Sequence, residues 1–239
     1  MIAGVFHIGS GVGNMLHRYV FTRVLAEDKG YEHGMCLPEN NKMNFMKLDM
    51  GVRVHDLLHR FEEKRVNKDG VDIRGFDYDI AYIKDFTLVD GEFQHEEYFN
   101  HRYEDIRNWL AVEPIAMSDD VVVIGFRGGE YVGVKELFLN QEYWDKAIAM
   151  FSGKRFEVHT DDPETARTFF PEFPIIHDVG VNWRSVRYAK NLIIANSSFY
   201  ILPSLLGDAE TIVSPKYWAR PYGDFWATNQ NNYKRFTYI

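Results

Sequence analysis

The sequence predicts an α/β protein in two halves, each a parallel sheet wrapped by helices. Three observations predict it. The chain opens with an apolar strand-length run, a glycine turn and an amphipathic stretch in direct succession. Val121 to Phe126 is a continuous, mostly β-branched run of the kind a strand buried on both faces uses. After it, strand-length and helix-length segments alternate as far as Ser214.

In order, Ile2 to His7 reads as a strand, and Gly9-Ser10-Gly11-Val12-Gly13 as a turn. Asn14 to Asp28 reads as a helix, because Leu16, Val20, Phe21, Val24 and Leu25 share one face. Val52 to Glu63 is expected to be helical, with Val54, Leu57, Leu58 and Phe61 at helical spacing, and Asp79 to Phe86 is expected to be a strand. Glu97 to Val112 reads as a helix that ends near Pro114. In the second half, helices are expected over Gln141 to Phe151, Pro163 to Phe170 and Trp183 to Lys190, with another ending at Leu205 to Gly207. Strands are expected over Arg155 to His159, Pro174 to Ile176, Leu192 to Ala195 and Thr211 to Ser214. A boundary near residues 113–118 divides the chain into residues 1–117 and 118–239, with a cleft between halves and ligands at the carboxyl ends of the strands. The aromatic tail from Lys216 follows no pattern.

Composition narrows the function. A net charge of −8 argues against a nucleic-acid binder, which needs a basic face. One cysteine, Cys36, rules out an internal disulfide or a cysteine-based zinc cluster, and it suggests a reducing, cytoplasmic compartment. The opening residues lack the basic and long apolar regions of a signal peptide, and no run approaches the ~18 apolar residues of a membrane span.

Several small motifs could carry chemistry. Gly11, Gly13 and Asn14 open the first helix, where backbone N–H groups can meet an anion. The spacing matches neither the dinucleotide fingerprint nor the P-loop. His55 and His59 stand one helical turn apart, as in a zinc hydrolase, but Asp56 replaces the usual Glu and no third ligand follows. Asp77 and Asp79 match the spacing of a metal-binding acidic pair, which chance also produces. Asp161 and Asp162 precede Pro163 as helix-capping residues would. Arg127 follows the buried strand and precedes Gly128-Gly129, so its guanidinium should project from the strand's carboxyl end. There it could grip a phosphate or pair with a carboxylate.

Taken together, Gly9 to Asn14, Val122 to Tyr131, Val158 to Pro163, Ile193 to Phe199 and Ser214 to Trp218 resemble, in that order, the α-1,2-, α-1,6- and protein O-fucosyltransferases. The resemblance implies a GT-B fold of two Rossmann-like domains. It implies inverting transfer of fucose from GDP-β-L-fucose to a glycan hydroxyl, with no metal and no other cofactor. The donor-diphosphate arginine falls on Arg127, the loop asparagine on Asn14, the phosphate serine on Ser198 beside Ser197, and the acidic pair on Asp161 and Asp162. The guanine-reading position falls on Asn182. Gly125 stands where the family has histidine, and Gly128 where it has a second arginine.

On this reading Arg127 stabilises the departing diphosphate, and Glu130 or Glu136 takes the acceptor's proton. Trp183, Trp218 and Trp226 face either the acceptor or the core. Two rivals remain: a nucleotide-sugar-binding protein that has lost turnover, and a zinc hydrolase built on His55 and His59.

Overall fold

The structure, a computed structural model, describes residues 1–36, 42–55, 57–64, 66–68, 71–73, 75–220, 228–229 and 233–239, with only the backbone at 66–68, 71–73 and 228–229. The chain divides into two compact units, residues 1–66 with 74–111, and residues 67–73 with 112–239.

The first unit is built on a four-stranded parallel sheet. Its elements begin with β1 (Ile2–Val5), α1 (Val12–Lys29), β2 (His33–Cys36) and β3 (His59–Glu62). β6 (Thr87–Asp90) and α2 (Tyr103–Trp109) complete this unit, while two short strands, β4 (Val66–Lys68) and β5 (Val71–Ile73), pair with each other and, from residue 67 on, group with the second unit. The sheet order is β2-β1-β6-β3, every pair parallel. α1 forms because its apolar positions recur each turn; Leu16, Tyr19 and Val20 are fully buried. Gly30 ends it in the left-handed conformation (φ 69°) with Lys29 in the last turn.

The second unit carries a six-stranded parallel sheet, ordered β14-β11-β10-β7-β8-β9. Its strands are β7 (Val121–Phe126), β8 (Arg155–Thr160), β9 (Ile175–Ile176), β10 (Asn191–Ile194), β11 (Thr211–Ser214) and β14 (Thr237–Tyr238). β12 (Tyr217–Ala219) and β13 (Thr228–Asn229) form a separate antiparallel pair. The crossovers are α3 (Gln141–Ile148), α4 (Pro163–Phe169), α5 (Val179–Tyr188) and α6 (Ser198–Leu206). Asn140, Asp162 and Asp178 cap α3, α4 and α5 through side-chain oxygens. β7 lies centrally and every residue of it is buried, as a doubly covered parallel strand requires.

The expected α/β class with parallel sheets in both halves is therefore present. Three local expectations in the first half are corrected. Val52 to Glu63 is not a helix: its last residues become β3, aligned with β6 from His59 against Thr87 to Glu62 against Asp90. Leu58, assigned to the apolar face, is 75% exposed. Asp79 to Phe86 is not a strand; Asp77 accepts the Asp79 N–H and starts a 3-10 turn over Tyr78–Tyr82, and the strand begins at Thr87. The helix expected from Glu97 is two 3-10 turns, Glu96–Tyr98 and Asn100–Arg102, followed by the short α2.

Among the described residues no helix is long and apolar enough to cross a membrane.

Candidate functional site

The carboxyl end of β7 gathers the second unit's charged groups. Within β7, Gly125 lies against the ring of Tyr200 from α6; a Cβ there would approach the ring to 2.8 Å. Tyr200 is held fast, because its hydroxyl donates to the carbonyls of Phe126 (2.9 Å) and His159 (3.0 Å). The position where the resemblance expects histidine thus has no room for a side chain.

Just past the strand, Arg127 donates to Asp161 Oδ2 at 2.5 Å and to Glu130 Oε1 at 2.7 Å. Its guanidinium also lies 5.2 Å from the centre of the Tyr131 ring. Burial works against its charge, but Asp161 and then Glu130 outweigh that and raise its pKa.

The two glycines after it exist because carboxylates crowd them. The Gly128 N–H donates to Asp161 Oδ1 (3.0 Å) and the Gly129 N–H to Asp162 Oδ2 (3.1 Å). A Cβ on Gly128 would fall 2.5 Å from Asp162 Cβ, and Gly129 has φ 47°, in the left-handed region. Asp162 also receives the Thr165 N–H and hydroxyl at the start of α4. These bonds, the Thr165 hydroxyl first, hold its pKa below the ordinary carboxylate value. The N–H groups of the turn after Arg127 are thus satisfied internally, with Asp161 and Glu130 on the guanidinium.

The other sequence-predicted residues are distributed around this cluster or lie apart from it. Asn196, 1% exposed, follows β10, and its carbonyl accepts from the Tyr131 hydroxyl (3.4 Å). Ser197 is the residue before α6 and Ser198 its first residue, at the end of the strand beside β7. Glu136 is half-buried, and its backbone carbonyl accepts the Arg220 N–H at 2.9 Å.

Asn182 is buried at 4% exposure. Its amide donates to the Thr160 carbonyl (3.1 Å) and its oxygen faces His159 Nδ1 (3.0 Å). Both ends of the amide are therefore engaged with β8. Trp183 is wholly buried against Phe199, their rings 5.8 Å apart, which makes it a core residue. Trp218 is half-buried. Trp226 and Asp56 lie outside the described residues.

Gly11, Gly13 and Asn14 belong to the first unit. Gly11 precedes α1 and is exposed, while Asn14 accepts from Gln94 Nε2 at 3.0 Å. His55 lies in irregular chain and His59 in β3, so the helical spacing a zinc site needs is missing there. Asp77 takes the N–H groups of Lys64 and Asp79, and Asp79 pairs with Lys64. That arrangement makes the acidic pair a turn cap.

Sequence reasoning missed one cluster in the first unit. The carboxyl ends of β1, β6 and β3 carry a row of hydrogen-bonded charges. His7 Nε2 meets Asp90 Oδ1 at 2.7 Å, and Asp90 Oδ2 accepts from Arg60 at 2.9 Å. Nearby, buried Arg18 donates to the Gly91 carbonyl, Ser10 and Glu92. His7 stands next to the glycine turn in sequence, but only the pairing of β1 with β6 brings Asp90 to it.

No family model matches the sequence, and no curated protein matches it. Solved structures similar to it include two glycosyltransferases. The E. coli heptosyltransferase WaaC with ADP shares 13% identity at TM-score 0.49, covering 99% of this chain and 92% of that one. A glycosyl transferase of family 9 from Veillonella parvula shares 12% identity at TM-score 0.48, covering 100% of this chain and 85% of the other. Similarity at this level assigns no role to any residue.

Proposed function

We propose that the chain is a glycosyltransferase of the GT-B type. It would move a sugar from a nucleoside-diphosphate donor to a glycan hydroxyl, with inversion and without a metal; fucose from GDP-β-L-fucose is the specific form that the fucosyltransferase resemblance implies. One observation carries the reading: Arg127, partly buried, stands at the carboxyl end of the central strand of a doubly wound parallel sheet, where such sheets receive nucleotides.

The chemistry follows from what Arg127 has left to give. A guanidinium carries five N–H donors, and the contacts to Asp161 and Glu130 use two of them. Glu130 is 76% exposed, so a diphosphate can displace it at little cost. As the anomeric C–O bond breaks, negative charge builds on the leaving diphosphate and the remaining donors stabilise it. The acceptor's proton goes to a carboxylate. Glu130 is held by Arg127 at 2.7 Å, and it is free to take that proton once the phosphate takes its place.

A second reading is a nucleotide-sugar-binding protein without turnover. Two observations favour it: Tyr200 fills the space of the expected histidine, and Asp161 and Asp162 already hold the Gly128 and Gly129 N–H groups.

The test is titration of the full chain with GDP, UDP, ADP and TDP, followed by turnover with their sugars with and without EDTA. Arg127→Gln should weaken nucleotide binding about tenfold or more, the loss of a charge-assisted contact, whereas Arg184→Ala should leave it unchanged. Binding without turnover selects the second reading. Equal binding by Arg127→Gln, with the fold intact, removes the site. Activity lost to EDTA and restored by Mn²⁺ removes the metal-independent mechanism.

A further inference from the structure

Among the described residues of the second unit, one place holds positive charge that no side-chain carboxylate pairs with, unlike the turn at Arg127. Lys146, Lys216 and Arg220 line a pocket of about 230 Å³ with Asn140, Glu142 and Tyr217. The pocket lies where the chain leaves β11 and along the first turns of α3.

Arg18, Arg102, Arg127 and Arg155 each sit within ion-pair distance of a carboxylate. Among the described residues, Lys146, Lys216 and Arg220 do not. Lys216 Nζ lies 5.3 Å from the centre of the Tyr217 ring, and Lys146 is exposed on α3.

Arg220 is the most constrained of the three. One end of its guanidinium donates to the carbonyls of Lys135 and Phe138, and its backbone N–H donates to Glu136. Its Nε is buried with no acceptor among the described residues. Burial pushes its pKa down, the reverse of what Asp161 and Glu130 do for Arg127. A partly buried cation without a counter-charge costs free energy, and an incoming anion recovers it. Glu142 and the terminal carboxylate of Ile239 are the two anionic groups in the lining, against three cations, so the pocket keeps one positive charge in excess.

We propose that this pocket is an anion site for a phosphate group, separate from the turn at Arg127. Phosphate fits better than a carboxylate because its tetrahedrally arranged oxygens can meet donors set on α3, on the chain between β11 and β12, and on the chain after β12. Lys146, Lys216 and Arg220 supply one cation from each of those segments, and Asn140 and Tyr217 add polar and aromatic walls for whatever the phosphate is attached to. The inference does not depend on the donor reading above. The phosphate could be free, or it could belong to a nucleotide or a sugar phosphate.

The experiment is calorimetric titration of the full chain at low salt with inorganic phosphate, pyrophosphate, glucose 6-phosphate and ADP, repeated with Lys146→Gln/Lys216→Gln, Arg220→Gln and Arg127→Gln. The lysine pair is exposed and its replacement should leave the fold intact, as circular dichroism would verify. Phosphate should bind the parent and Arg127→Gln alike, and weaken about tenfold or more in the lysine pair. Added salt should weaken binding in the parent. Stronger binding of one organic phosphate than of free phosphate, lost in the same variant, identifies the source. Absence of phosphate binding to the parent, unchanged binding in the lysine pair, or loss confined to Arg127→Gln would each overturn the assignment.

Discussion

Acidification should destabilise the second unit through His159. The imidazole is 1% exposed, and burial lowers its pKa from 6.5 to about 4, the contact with Asn182 only partly opposing this. The tautomer follows from its neighbours: Asn182 donates through its amide to Thr160, so its oxygen faces Nδ1 and that nitrogen carries the proton. Nε2 is then bare, with Glu157 Oε2 at 3.9 Å, beyond hydrogen-bond reach. The native state holds His159 neutral, whereas the unfolded chain takes up a proton near its ordinary value. Stability is therefore full above pH 6.5, falls as the pH drops towards 4, and levels off below that. Each pKa unit is worth about 1.4 kcal/mol, so the whole interval amounts to about 3 kcal/mol. That is a large share of the stability of an ordinary domain.

The direct assay is an NMR titration of the His159 ring. Urea unfolding of parent and His159→Gln at pH 7, 5.5 and 4 supplies the energy. The parent should lose about 3 kcal/mol more than the variant over that range. A ring that titrates at 6 or above, or parallel pH profiles for parent and variant, would falsify the reasoning.

Other substitutions probe the same framework. Gly125→Ala sets a methyl group against a Tyr200 ring pinned by two hydrogen bonds, so it should cost about 1–3 kcal/mol, read from the urea midpoint. A smaller partner, Tyr200→Leu, should recover part of that loss. Asn182→Asp replaces the donor to Thr160 with a carboxylate oxygen and sets a negative charge beside His159. It should lower stability at neutral pH by about 1–3 kcal/mol and move the His159 titration upward, and an unchanged His159 titration would count against the pairing. Glu63 accepts the N–H groups of Glu92 and Phe93, but burial outweighs those bonds and raises its pKa. The native state therefore favours the protonated form more than the unfolded chain does, and its contribution declines as the pH rises. Glu63→Gln keeps an acceptor without the charge, so its melting temperature relative to the parent should improve from pH 4 to pH 8.

The second half of the chain was largely legible because its elements follow local rules. Val121 to Phe126 is apolar throughout because both faces of β7 are covered, and Asp162-Pro163 marks the start of α4 by capping and by proline's fixed φ. The position of Arg127 at the end of β7 could be read from the same segment. The first half was less legible because its strands owe their existence to partners far along the chain. His59 to Glu62 has a helix-like apolar spacing, yet pairing with Thr87 to Asp90 makes it a strand. Local periodicity contains no information about a partner almost thirty residues away.

The candidate site divides in the same way. Sequence determined that an arginine and two glycines follow the central strand, and that an acidic pair follows the next one. Tertiary structure decided what they do to one another. Parallel pairing of β7 with β8 sets Asp161 and Asp162 against Gly128 and Gly129 at under 3 Å from where a Cβ would stand, and it places one carboxylate on Arg127. The packing of α6 puts Tyr200 over Gly125, and the chain beyond β12 delivers Arg220 to the carbonyls that precede α3. A residue's type and its place on a strand are properties of the sequence. Whether its charge is neutralised, exposed or left without a partner depends on neighbours that only the folded chain supplies.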